Sequence, residues 1–214
     1  MTPTQLVREK TGSGRREGGI PRRGDGDDGS APGEGRPKPS TALIGVGAFL
    51  AAVTMLFVAF TSAYLARRQE EGWLAIAVPA VLWLNTAVLL SSSVTLEWAR
   101  SRIARGDAHG LRRGLSLTAA LGVLFVLGQL AAWRQLSAAG LYLSSNPHSS
   151  FFYLLTGVHG LHLLGGLAAL GAVLVRASGG RYTPGDHTGI SVVALYWHFM
   201  DGLWLYLFAL LFWA

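Results

Sequence analysis

Long apolar blocks alternate with short polar segments along residues 41–214. The blocks cover residues 41–65, 73–98, 115–133, 151–175 and 192–213, and each contains between 19 and 26 residues. About 20 helical residues are enough to cross a hydrocarbon core of about 30 Å. The blocks are apolar on nearly every face, whereas a surface helix of a soluble protein keeps one polar face. The pattern therefore predicts an all-α membrane protein with five transmembrane helices.

The first forty residues have a different composition. Residues 1–40 contain nine glycines, five of the eight prolines and no aromatic residue. A segment of this kind buries too little apolar surface to offset the entropy of its chain. We expect a disordered, basic, Gly/Pro-rich tail over residues 1–40, followed by one transmembrane domain over residues 41–214.

The charged residues indicate an orientation in the membrane. Charged residues make up 14% of the chain, the net charge is +6 and cysteine is absent, so no thiolate site or disulfide can form. With the N-terminus inside, fifteen Lys and Arg residues fall in cytoplasmic segments and three fall in external loops. Without the long tail the ratio is seven to three. The positive-inside rule predicts a cytoplasmic N-terminus and an external C-terminus, and it accounts for the basic charge without nucleic acid.

Two pairs of polar residues lie deep in the last two blocks. His159 and His162 are three residues apart in the fourth block, and His198 and Asp201 have the same spacing in the fifth. Residues three apart share a helix face, and both pairs lie near the middle of the membrane. A short connection makes the two helices plausible antiparallel neighbours. We therefore predict one buried, hydrogen-bonded cluster between them, with His162, His198 and Asp201 directed inwards.

Such a cluster has several possible roles. Two imidazoles on facing helices can ligate a b-type haem, and His with Asp can hold a metal ion or relay protons. A structural role, in which the side chains satisfy each other, is the alternative. No phosphate-binding loop, zinc-protease motif or nucleophile elbow occurs in the chain. The residues therefore predict no enzyme site and favour the structural role, with haem ligation, metal binding and proton relay as alternatives.

Small and polar residues are expected to pack the helices together. Small residues let neighbouring backbones approach closely in membranes, and polar side chains bond across helices. In the last two blocks the predicted packing residues are Gly157, Gly160, Gly165, Gly166, Trp197 and Trp204. Earlier in the chain, Gln129 is expected to donate an interhelical hydrogen bond, and Glu97 is expected to reach interfacial water.

Four segments resemble one known family. The two most specific are FYLLTGVHGLHLLGG (152–166) and YWHFMDGLWLYLFALLFW (196–213), and LWLNTAVLLSSSVTLEWA (82–99) and MLFVAFTSAYLARR (55–68) support them. Together they are similar to subunit III of haem–copper oxidases, typified by cytochrome c oxidase subunit III. Five spans with the N-terminus inside match the short bacterial form of this family. Family members commonly carry a Glu in the first of these helices, where this chain has Val53 or Thr54.

The resemblance implies a role within a larger complex. It implies a structural role for the polar cluster and no catalytic, cofactor-binding or metal-binding residue, since such a subunit has no haem or copper of its own. Such a subunit packs against oxidase subunit I, binds structural phospholipids and supports proton uptake by the catalytic subunit. The complex lies in the bacterial inner membrane and couples oxygen reduction to proton pumping. Within the family the alternatives are subunit III of a quinol oxidase and the accessory protein of nitric oxide reductase. Outside it they are a b-type cytochrome and a proton-coupled transporter.

Overall fold

The described residues fold into five α-helices. The structure is a computed structural model that describes residues 41–69, 79–183 and 187–213, without the side chain of Trp213. The helices are α1 (Thr41–Arg67), α2 (Val81–Ala104), α3 (Ala108–Ala138), α4 (Pro147–Ser178) and α5 (Thr188–Trp213). The all-α class and the five helices are thus confirmed, while the tail predicted for residues 1–40 lies outside the described residues.

The second helix begins later and ends later than predicted. Residues 73–78 of the second block lie outside the described residues, and the helix starts at Val81, just after Pro79. Proline lacks a backbone N–H and disfavours helical geometry in the residue before it, which fits a helix start here. The continuous helix predicted for 73–98 is therefore wrong at Pro79 and Ala80.

The basic segment after Trp98 is mostly helical rather than a loop. α2 continues to Ala104 and α3 begins at Ala108. In the turn between them Gly106 has a φ of 75°, a conformation that glycine adopts without steric cost. Asp107 then caps α3 by accepting a 2.8 Å hydrogen bond from the backbone N–H of Gly110. Two long helices are therefore joined by a tight turn.

The helices pack as a four-helix group with α1 at its side. α2 and α3 pack along most of their lengths, α4 packs on α3 and α5, and α5 also packs on α2. Within the described ranges α1 packs only on α4 and α5. The predicted neighbourhood of α4 and α5 is therefore confirmed. The core of the bundle is filled by large buried side chains that include Phe125 of α3 and Trp197 and Trp204 of α5.

The surface of the bundle is strongly apolar. Met55 on α1 is 72% exposed and Leu161 on α4 is 68% exposed, and many other large apolar side chains are also on the surface. Four of the five helices in the described ranges, α1, α3, α4 and α5, are long and apolar enough to cross a membrane. α2 is more polar because it carries Asn85 and the serines at 91–93. Apolar residues on the outside and polar ones between helices are typical of a membrane bundle.

Candidate functional site

A chain of hydrogen bonds joins α2 to α5, and it contains one of the two predicted pairs. The hydroxyl of Ser93 donates to Asp201 Oδ2 and lies 2.9 Å from His198 Nδ1. On its other side, His198 Nε2 lies 2.7 Å from Glu97 Oε1, and Glu97 also accepts from Arg100 at 2.7 Å. We call Ser93, Glu97, His198 and Asp201 the α2–α5 polar seam.

The bonding pattern of the seam defines the role of each group. The Ser93 hydroxyl donates to Asp201 and also contacts His198 Nδ1, so it links the two side chains of the fifth-helix pair. A carboxylate only accepts, so His198 Nε2 donates to Glu97. The His198 ring thus lies between the Ser93 hydroxyl and the Glu97 carboxylate, and the Arg100 guanidinium also bonds to Glu97.

Two indole groups continue the contact between α2 and α5. Trp197 Nε1 donates to Ser92 Oγ at 2.9 Å, and Trp204 Nε1 donates to Thr86 Oγ1 at 2.9 Å. Both indoles are fully buried. A buried indole N–H normally needs an acceptor, and here the hydroxyls of α2 provide it. The polar face of α2 therefore has a defined use, which is to bind the fifth helix.

The fourth helix does not contribute to the seam. His159 is buried between Phe125 of α3 and Trp204 of α5, with ring centroids 6.2 and 5.3 Å away. Neither ring nitrogen of His159 has a hydrogen-bond partner among the described residues. The side chain is thus held by aromatic rings and not by His198 or Asp201.

His162 faces another neighbour. Its Nδ1 lies 2.8 Å from the carbonyl oxygen of Val158 in its own helix, and its ring packs near Phe49 and Phe57 of α1. Its backbone carbonyl accepts a 2.7 Å hydrogen bond from the hydroxyl of Tyr196. The single cluster predicted from His159, His162, His198 and Asp201 is therefore wrong: the structure divides these residues among three different helix contacts.

The glycines predicted to pack the helices differ in how closely a neighbouring residue approaches them. A Cβ on Gly166 would lie 2.9 Å from Tyr196, so the close approach of α4 and α5 requires glycine there. A Cβ on Gly157 would make an ordinary contact with Trp133, and one on Gly165 would only just reach Tyr196. Gly160 has open space beside it and does not mediate close packing. Among the described residues, glycine therefore permits a close helix contact at Gly166, while Gly157 and Gly165 make looser contacts and Gly160 makes none.

Tighter glycine contacts occur on α3, where the sequence was not interpreted in this way. A Cβ on Gly114 would lie 2.6 Å from the Cβ of Ala99, and one on Gly128 would collide with the side chain of Asn85. Asn85 Nδ2 also donates to the carbonyl oxygen of Phe125 at 3.0 Å. The small residues in the α3 sequence, together with small and polar residues in α2, could have indicated this close contact between the two helices.

Val53 and Thr54, the two candidates for the position at which the resemblance implies a Glu, have different surroundings. Val53 is buried in the core, and the hydroxyl of Thr54 donates to the carbonyl oxygen of Leu50 at 2.8 Å.

Gln129, expected to bond across helices, has neither amide atom paired within the described part of the chain. That expectation is wrong. The described residues also contain no group of three or more His, Cys, Asp or Glu placed to hold a metal ion.

Comparison with known proteins defines the family. Residues 41–214 match the sequence model of the family described as cytochrome c oxidase subunit III. A Mycobacterium bovis protein named probable cytochrome c oxidase subunit 3 is 36% identical over 180 residues, which cover 82% of this chain and 89% of that protein. A Nocardia farcinica protein of the same name is 37% identical over 182 residues, covering 80% and 87%. The Synechocystis sp. cytochrome c oxidase subunit 3 is 35% identical over 183 residues, covering 81% and 76%.

The fold and these matches lead to one assignment. The chain is a helical membrane protein in which the motif residues of α5 build contacts with its other helices. It belongs to the cytochrome c oxidase subunit III family, and its role is that of an oxidase subunit III within a complex with other oxidase subunits. The resemblance of the motifs at 152–166 and 196–213 to this family is thereby confirmed.

Proposed function

We propose that this chain is a non-catalytic accessory subunit that stabilises subunit I of a haem–copper oxidase. One observation carries the proposal: the motif residues of α5 are used inside the subunit. Trp197, His198, Asp201 and Trp204 each form a contact with α2 or with a neighbouring ring. Side chains engaged in this way fix the angle and register of two helices, and a fixed helix pair offers a defined surface to a larger partner.

The apolar surface supports a partner within the membrane. α1 packs on the rest of the bundle along one side and leaves Met55 and Val58 on its outer side. In the proposed complex subunit I and structural phospholipids cover such faces. Haem and copper belong to the partner subunits, where the oxygen chemistry takes place, and this chain holds neither.

The proposed electron donor is cytochrome c, because the similar proteins from Mycobacterium bovis and Nocardia farcinica are named for a cytochrome c oxidase. A quinol oxidase subunit III and the accessory protein of nitric oxide reductase share the same kind of subunit and differ in a partner chain. Three assays on the purified complex distinguish these alternatives: oxidation of reduced cytochrome c, oxidation of a quinol, and reduction of nitric oxide.

We further propose that the chain lies in the bacterial plasma membrane with a cytoplasmic N-terminus and an external C-terminus. The excess of Lys and Arg before α1, from Arg100 to Arg113 around the α2–α3 turn, and at Arg176 and Arg181 near the end of α4 supports this orientation. The short turn at Gly106 lies between two of the arginine-bearing helix ends.

Affinity purification tests the accessory role. A tag on subunit I should retain this chain in mild detergent, and deletion of the chain should leave the haem spectrum of the remaining complex unchanged. Isolated chain with a stoichiometric Soret band would instead favour a b-type cytochrome. A chain that always purifies alone, while the oxidase is intact elsewhere, would contradict the proposal.

A further inference from the structure

A cavity of about 760 Å³ lies between the end of α3, the turn after it and the start of α4. Its apolar part is formed on α3 by Leu127 and Leu130, which are 56% and 47% exposed. Its other end is polar and includes the side chains of Arg134, Ser137 and Tyr142. The seven residues from 127 to 134 span about 10 Å along the helix axis. The cavity thus changes from apolar to polar along α3, and we call it the Arg134 cavity.

Two aromatic side chains in the cavity wall mark the depth of the membrane interface. Trp133 and Tyr153 both line the cavity, and their rings meet edge to face with centroids 5.7 Å apart. Trp133 Nε1 donates to Thr156 Oγ1 at 3.2 Å, and the hydroxyl of Tyr153 donates to the carbonyl oxygen of Leu141 at 2.9 Å. Trp and Tyr side chains are enriched at the level of the lipid headgroups. The wall is therefore held by its own hydrogen bonds, with its polar end at headgroup depth.

Among the described residues, the exposed side chain of Arg134 has no carboxylate partner. Residues 108–185 contain no Asp or Glu, so neither α3 nor α4 can provide one. In the proposed orientation Arg134 lies on the external side, where the positive-inside rule does not favour a basic residue. Membrane topology therefore does not account for this arginine, and an anion from outside the described residues is its expected partner.

The order of groups along the cavity matches that of a phospholipid. A planar guanidinium can bind a phosphate group through two parallel hydrogen bonds. The exposed leucines lie about two helical turns deeper, in the direction that the acyl chains of the same molecule take. No acidic residue in the described part of the chain lines the cavity, so none can bind the ammonium group of a zwitterionic headgroup. The hydroxyls of Ser137 and Tyr142 can instead bond to a headgroup that carries hydroxyls.

We propose that the Arg134 cavity binds an anionic phospholipid whose uncharged headgroup carries hydroxyl groups, as in phosphatidylglycerol. Arg134 binds the phosphate group, Tyr142 bonds to a headgroup hydroxyl, and an acyl chain lies against Leu127 and Leu130. The site differs from the general coating of apolar faces by lipid, because it selects the lipid by charge. It depends only on residues of this chain and not on the identity of subunit I or of the electron donor.

Photolabelling of the full-length chain, purified with its bound subunits in lipid nanodiscs, tests this site. The probe is phosphatidylglycerol with a diazirine near the start of one acyl chain, and labelled peptides are identified by mass spectrometry. Label is expected within residues 127–143. Unlabelled phosphatidylglycerol should displace it about fivefold more effectively than the same amount of added phosphatidylcholine, since one basic residue near a membrane surface contributes about this factor to the binding of anionic lipid.

Three variants change different parts of the site. Arg134→Gln removes the charge and should lower the competable label about fivefold, whereas Arg134→Lys keeps the charge and should retain most of the label. Ala131→Phe places a ring in the apolar part of the cavity and should lower the label for either lipid. Arg105→Gln is the matched control, because it removes an exposed arginine from the α2–α3 turn, beyond the other end of α3. It should leave the label within 127–143 unchanged.

The opposite results would overturn the inference. Equal displacement of the label by both lipids, or unchanged label in Arg134→Gln, would show that Arg134 only reaches water and does not select a lipid. Equal loss of label in Arg134→Gln and Arg105→Gln would show a general effect of net charge. Should Arg134→Gln fail to assemble, unchanged competable label in Ala131→Phe would by itself refute the site. An experimental density with an acidic side chain of another subunit against Arg134 would assign the cavity to a protein contact instead.

Discussion

Two residues three positions apart on a helix can meet different neighbours. Three residues advance the helix by about 300°, so their side chains point about 60° apart. In α4 this angle is enough to turn His159 towards α3 and α5 while His162 turns towards α1. The spacing correctly placed each pair on one helix. The spacing could not give the rotation of each helix about its axis. The rotation of α5 brings His198 against Ser93 and Glu97 of α2.

At the same scale, Asp201→Ala should weaken the attachment of α5 to α2. The substitution removes the acceptor of the Ser93 hydroxyl, which also contacts His198. An unsatisfied buried polar group costs about 1–3 kcal/mol. We expect less of the subunit to be retained in the detergent-purified complex and a lower thermal unfolding temperature for the variant.

Asp201→Asn is the control for this prediction, because the amide keeps an oxygen acceptor for Ser93. It should lose less stability than Asp201→Ala. In both variants the haem spectrum of the complex should stay unchanged while the subunit is bound. A lost haem band with the subunit still present would show that Asp201 belongs to a ligand site.

A second prediction concerns the indole of Trp204. Trp204→Phe keeps a large buried ring but removes the N–H that donates to Thr86. Interhelical hydrogen bonds in membranes contribute about 0.6 kcal/mol on average, and the smaller ring also leaves unfilled volume. The variant should unfold at a lower temperature than the wild type. Trp83→Phe, at a half-exposed position of α2 whose ring packs on Phe208 and Phe212, should lose less stability because the phenyl ring keeps part of that contact. An equal loss in both variants would contradict the importance of the Trp204 N–H.

At the scale of the element, close packing of α2 on α3 depends on residues without bulk. Gly114 opposes Ala99, and Gly128 lies against Asn85. The number of helices and the all-α fold class follow from the lengths of the apolar blocks alone, because a helix needs a minimum length to cross a bilayer. The contacts between helices do not follow in the same way. Every block contains small residues, and which of them meet a neighbour depends on helix rotation and on the turn at Gly106.

Gly114→Val should separate α2 from α3. A valine Cβ would lie 2.6 Å from the Cβ of Ala99 and about 3.0 Å from the backbone of that residue, so one helix must shift. Overpacking of a filled core typically costs about 1–3 kcal/mol. The thermal unfolding temperature in detergent should fall, and limited proteolysis should cut the Gly106 turn faster than in the wild type.

Gly171→Ala is the matched control, since a Cβ at this glycine of α4 meets nothing within 4 Å. It should be neutral or slightly stabilising, because alanine favours the helix over glycine by up to about 1 kcal/mol. Equal destabilisation by both substitutions would show that glycine content, and not the α2–α3 contact, controls the stability of the bundle.

At the scale of the whole molecule, an apolar exterior is combined with basic helix ends. The apolar side chains on α1 and α4 suit contact with lipid or with another membrane subunit. The arginines cluster in the last turns of α2 and the first turns of α3. The family could be predicted from the sequence because its motifs are linear strings. The Arg134 cavity could not, because it arises from the turn after α3 and from the hydrogen bond that ties Tyr153 of α4 to that turn.

The orientation of the molecule gives the last prediction, and the absence of native cysteine makes it simple to test. Single cysteines can be placed at three small, exposed helix ends, as Ala104→Cys, Ala139→Cys and Ser178→Cys. Successive ends of a helical bundle that spans a membrane lie on alternate sides. With the N-terminus inside, a membrane-impermeant maleimide should label position 139 in intact spheroplasts and positions 104 and 178 only after permeabilisation. Since none of these changes alters a charge, the excess of internal Lys and Arg that should set the orientation is preserved. Labelling of 104 and 178 from outside would invert the orientation, and labelling of 104 and 139 from the same side would show that α3 does not cross the membrane.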